Sequence, residues 1–155
     1  MAIHTDYRIM IRQIINNQKL LGIIIKKDFY KEGIEFFTPN DLSQQLAFMS
    51  HHKGHEIVPH FHNPVPRTIN YTQEVLFIRK GKLRVDFYND SQEYIESLVL
   101  GEGDVILLAS GGHGFEVLED LEMFEVKQGP YIGEKCKTRF QSVPAAKIKI
   151  LSDNK

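Results

Sequence analysis

The sequence predicts an all-β protein. Short runs of apolar and polar residues alternate with the period of a strand. Gly, Pro, Asn or Asp clusters interrupt these runs roughly every eight to twelve residues, as in a sandwich or barrel. Strands and long helices do not alternate, so a parallel sheet has no support.

The N-terminal third is the least patterned. Ile9 to Asn17 is a short mixed apolar stretch compatible with helix or strand. "LLGIIIKK" (20–27) is rich in β-branched residues and reads as a strand, and "GIEFFTP" (33–39) reads as a second one ended by Pro39. "NDLS" (40–43) is a turn, and "QQLAFMSH" (44–51) reads as a strand because it is short and leads to a glycine. Further on, "QEVLFIRK" (73–80) is a strand, "GK" (81–82) a turn and "LRVDFY" (83–88) the returning strand, with Leu83, Val85 and Phe87 on one face. "YIESLVL" (94–100) and "DVILLA" (104–109) follow, separated by "GEG". After "SGG" (110–112), "HGFEVLED" (113–120) and "LEMFEVKQ" (121–128) complete the series. "AAKIKIL" (145–151) is expected as an edge strand with its lysines in water, and "SDNK" as a frayed end.

At 155 residues the chain fits one domain with a real core. We divide it into N-terminal strands packing on a barrel (1–40), the barrel itself (41–128) and a C-terminal tail (129–155), all in one domain. Nineteen basic and twenty acidic side chains leave a net charge of −1, which argues against nucleic acid or an anionic membrane as partner. Cys136 is the sole cysteine, so no intrachain disulfide forms. No signal peptide or membrane-spanning run is read near the N-terminus, and a cytoplasmic location is expected.

Five of the seven histidines lie between positions 51 and 62. His51, His52 and His55 read as surface residues. On a strand, His60 and His62 would face one point, with Phe61 turned away. Glu74 opens the next strand, and His113 follows the Gly111-Gly112 turn. Three imidazoles and one carboxylate suit Fe, Mn, Ni, Zn or Cu better than Ca or Mg.

The spacing around these residues resembles that of the cupin superfamily. Its first motif, G-x5-H-x-H followed by E-x6-G, is matched by Gly54, His60 and His62, then by Glu74 and Gly81. Its second, G-x5-P-x-G-x2-H, is approached by Gly103, Ala109, Gly111 and His113. The likeness spans roughly 44 to 128. There are three departures. Eleven residues, "NPVPRTINYTQ", separate His62 from Glu74 where three or four are usual; Ala109 replaces proline; and His113 comes one residue early. Pro64 and Pro66 should stiffen the inserted segment into an extended loop. The strings "GDVILLASGGHGFEVLED" and "EVKQGPY" look like those of small cupin-like proteins from bacterial surface-polysaccharide gene neighbourhoods.

The resemblance implies a single-domain jelly-roll barrel, here with additional N-terminal strands. It also implies one divalent transition metal (Fe, Mn, Ni or Zn) held by His60, His62, Glu74 and His113. A homodimer is expected too, because Val75, Leu76, Phe77 and Ile78 make both faces of one strand apolar. Arg67 and Tyr131 are candidate substrate-binding residues at the pocket mouth, Arg67 as a bidentate grip on a carboxylate or phosphate. The lysines flanking Cys136 would favour its thiolate, but no histidine neighbours it in sequence to act as a base. Fold alone does not give function. One expectation is a metal-dependent enzyme, such as an isomerase, epimerase or dioxygenase, acting on a small carbohydrate-like or carboxylate substrate. The others are a metal-independent sugar-nucleotide isomerase or epimerase, in which the H-x-H histidines His60 and His62 are the acids and bases, and a non-catalytic ligand-binding module.

Overall fold

A computed structural model describes residues 10–152. Ile9 of the first apolar stretch and Asp153 to Lys155 of the tail lie outside the described residues. The described chain is all-β, with strands β1 (Ile11–Asn16), β2 (Lys19–Ile25), β3 (Gly33–Phe36), β4 (Ala47–Ser50), β5 (Glu74–Tyr88), β6 (Tyr94–Leu100), β7 (Val105–Leu108) and β8 (Gly112–Lys127). Short 3₁₀ turns occupy Gly133–Cys136 and Ala145–Lys147.

Two compact units are present. Residues 30–71 form one, built on the antiparallel pair β3–β4, and the rest of the chain forms the other. The larger unit is a six-stranded antiparallel sheet in the order β1-β2-β7-β5-β6, with β8 on the other edge of β5. It curls into a half-barrel.

β1 and β2 are joined by Asn17 and Gln18, both at positive φ (47° and 64°), the backbone of a tight hairpin. β5 organises the sheet. Along one edge it pairs first with β7 (Glu74 to Phe77) and then with β6 (Leu83 to Tyr88), while β8 follows its other edge throughout. Alternate side chains of β5 point into the curl: Leu76, Ile78, Leu83, Val85 and Phe87 join Ile14, Leu21, Ile24, Leu98, Leu100, Ile106 and Leu108 in the core.

The expected reversal at Gly81-Lys82 is absent, because β5 runs through it as one strand. The register against β8 shifts three times between Ile78 and Leu83, so the glycine serves an irregular, bulged bend instead of a turn. Gly81 has φ +83°, and a Cβ there would fall 2.0 Å from the Asp120 carbonyl oxygen. For the same reason the segments expected at 113–120 and 121–128 are one strand, β8, which bends with its partner. The expected edge strand at 145–151 reduces to a 3₁₀ turn and a single parallel bridge, Ser97 to Ile150.

Candidate functional site

Strand order brings Glu74 and His113 together. Glu74, the first residue of β5, lies opposite Leu108 of β7 and opposite Lys127 of β8. From Leu108 the chain needs only Ala109 to Gly111 to reach β8, so His113 emerges beside Glu74. Gly111 permits this short link: its φ is +71°, and a Cβ would lie 2.5 Å from the Tyr88 carbonyl oxygen.

The Glu74 carboxylate is buried at 7 % exposure, on the same side of β5 as Leu76 and Ile78. Its Oε2 lies 3.2 Å from His113 Nε2, and its Oε1 lies 3.7 Å from Lys127 Nζ. Lys127 also donates to Glu125 Oε1 at 2.7 Å. The His113 ring is half-buried and sits 5.1 Å from the Phe115 ring. The hydrogen bond from His113 holds the Glu74 carboxyl below its ordinary value. Burial opposes this, and the charges of His113, Lys127 and Lys137 add to it.

Gln73 fixes the corner. Its side-chain amide donates to the Ala109 carbonyl at 3.2 Å, and its backbone N–H donates to Gln128 Oε1 at 2.7 Å. It thereby ties the start of β5 to the end of β7 and the end of β8. Lys127 is the participant that the sequence reading misses. Cross-strand pairing with Glu74 marks Lys127, and that register is not readable before the bend in β5 is known.

His60 and His62 belong to the smaller unit. They lie in the stretch between β4 and β5, which contains no strand, and both are exposed. Their facing is therefore not set by a strand, as the sequence had suggested. Their rings are 5.4 Å apart and nearly perpendicular. His60 Nδ1 is 2.9 Å from the Val58 carbonyl oxygen. A carbonyl only accepts, so Nδ1 is the donating nitrogen, and in the neutral ring Nε2 is the one with a lone pair. In the same unit His51 stacks on His55 at 4.1 Å, and His52 Nε2 is 3.2 Å from Glu32 Oε1. Arg67 is exposed, its nearest bond being 3.5 Å to the Val65 carbonyl. Tyr131 in the larger unit is also exposed. Within either unit, among the described residues, no group of three or more His, Cys, Asp or Glu side chains stands in metal-binding geometry.

A separate cleft of about 570 Å³ lies between Tyr88, Tyr94 and residues 141–149. Its tyrosine hydroxyls accept backbone hydrogen bonds from Val143 (3.0 Å) and Lys149 (2.8 Å). These bonds make it the seam where the tail docks on the sheet.

Comparison with protein-family models, curated proteins and solved structures gives no significant match. What can be said of class from the fold is an all-β chain whose curled half-barrel sheet is compatible with a jelly roll. Among the described residues no helix is long and apolar enough to cross a membrane.

Proposed function

We propose that the chain is a metal-binding cupin, an enzyme for a small oxygen-rich substrate of carbohydrate-like or carboxylate type. In this reading it is a cytoplasmic homodimer, and His60, His62, Glu74 and His113 hold one Fe, Mn, Ni or Zn ion. The observation that carries the reading is the contact between Glu74 Oε2 and His113 Nε2. Two ligands each about 2.0–2.2 Å from a common ion, at tetrahedral or octahedral angles, lie roughly 3.0–3.5 Å apart. The 3.2 Å hydrogen bond supports the reading: an ion taking the place of the Nε2 proton would find the two groups at about that separation. The free Nε2 of His60 is a suitable third donor by chemistry. Bound there, the ion would act as a Lewis acid on a substrate oxygen.

The protein's own groups have definite parts in this scheme. The hydrogen bond from His113 and the charge of Lys127 hold the Glu74 carboxyl below its ordinary value, which favours the charged oxygen ligand. Lys127 neutralises the oxygen of Glu74 that faces away from His113. Gln73 keeps the carboxylate in register with the β7–β8 link. Arg67 and Tyr131, both exposed, would hold substrate anions or hydroxyls.

The test is stabilisation by metal. Protein stripped with chelator and purified without a histidine tag should gain several degrees in Tm on adding one of these ions at micromolar concentration, since binding to the folded state alone stabilises it. No gain with Fe, Mn, Ni or Zn would contradict the reading.

The same Glu74–His113 contact supports a second reading, a metal-independent sugar-nucleotide isomerase or epimerase. A carboxylate bonded to one ring nitrogen raises the basicity of the other, which is how an imidazole is prepared to take a proton. Turnover of a nucleotide-sugar unchanged by chelation would select it.

A further inference from the structure

We propose that the outer face of β5 and β8 around Phe77 and Phe124 is the surface on which a second copy of this chain docks. The inference rests on the homodimer in the reading above, and is independent of the metal. Phe77 and Phe124 are cross-strand partners whose rings stack at 6.5 Å, pointing away from the core. Val75 and Val126 form the neighbouring cross-strand pair on the same face.

This face is unevenly covered. Ile23 and Leu107, on the outer face of β2 and β7, are fully buried, whereas Phe77, Phe124 and Val126 are 40 %, 57 % and 59 % exposed. Two phenylalanines and a valine clustered in water mark an association surface more strongly than scattered apolar residues do.

Charge selects the occupant. Two residues along each strand from the phenylalanines stand Arg79 and Glu122, both exposed, 3.5 Å apart. A patch with one cation and one anion on its rim is self-complementary. A two-fold contact over the aromatic pair can set each Arg79 against the partner's Glu122 and the reverse. The open edge of β8 does not offer this. It carries Glu116, Glu119, Asp120, Glu122 and Glu125, and registers centred on Asp120, Leu121 or Glu122 set carboxylates opposite carboxylates. Face-to-face packing is therefore preferred over edge pairing.

The experiment is sedimentation and light scattering of the full chain at micromolar concentration. Wild type should be dimeric. Phe124→Asp should be monomeric with an unchanged circular dichroism spectrum, because the side chain is exposed. Arg79→Glu alone and Glu122→Arg alone should each dissociate at least tenfold more readily. Mixing these two variants should produce heterodimer in excess of either homodimer, since each chain then supplies the charge its partner lacks. In-chain pairing cannot cause that recovery, so the mixture decides the matter even if Phe124→Asp fails to fold. A dimer unaffected by Phe124→Asp, or no preferred heterodimer, would overturn the surface while leaving a dimer. A monomeric wild type would overturn both.

Discussion

His113 Nε2 stands 3.2 Å from Glu74 Oε2, linking the second residue of β8 to the first residue of β5. The carboxylate is buried and its pKa lies below the ordinary 4.5. A depressed acid stabilises the fold above its unfolded pKa, and that contribution is lost as pH falls through the lower folded value. Wild-type stability should therefore decline from about pH 4.5 downward. Glu74→Gln should cost about 1–2 kcal/mol at pH 7 and show a shallower acid limb. Denaturant unfolding at a series of pH values checks this; parallel acid limbs would count against the assignment.

Glu96 on β6 has the opposite sign. Burial pushes its carboxyl up, with Arg12 opposing. A raised acid favours the fold below its unfolded pKa and loses that contribution as pH rises through the folded value. Glu96→Gln should therefore raise Tm at pH 7 and leave it unchanged near pH 3. A lower Tm at pH 7 would show that the Arg12 attraction dominates.

The strands that alternate cleanly were legible in the sequence. "YIESLVL" and "DVILLA" fall on β6 and β7 within a residue. β5 and β8 were each read as two strands because glycine and like-charged residues near Gly81 and Asp120 look like turns. The bulged registers that carry both strands through the bend arise from pairing between distant segments, which local pattern does not contain. The Glu74–His113 contact was legible through motif spacing. Lys127 was not, since its place opposite Glu74 depends on those registers. His60 and His62 were assigned strand geometry from an i, i+2 pattern, but "NPVP" and the lack of alternation around it leave that stretch outside any strand.

Gly81→Ala tests the bulge. The new methyl would need both a left-handed φ and space held by the Asp120 carbonyl. A loss of about 2 kcal/mol or more is expected. A neutral result would mean that β5 and β8 can part there at little cost.

Asp86 tests the outer face of the other half of β5. It is buried, receives two bonds from Arg84 (2.8 and 3.0 Å), and accepts from the Ser97 hydroxyl. Asp86→Ala strands the Arg84 guanidinium with Glu116 as its remaining partner, and should cost about 3 kcal/mol. Urea unfolding of this variant beside Ser97→Ala would show whether the loss follows the charge or the hydroxyl.

Metal content tests the central proposal most directly. Wild-type protein, purified without a histidine tag and analysed by elemental mass spectrometry, should carry about one transition-metal ion per chain. His60→Ala/His62→Ala and Glu74→Gln should each lower that content at least tenfold, because each removes donors from the proposed set. Unchanged metal content in the double-histidine variant, or a metal-free wild type that does not take up Fe, Mn, Ni or Zn when supplied, would contradict the account.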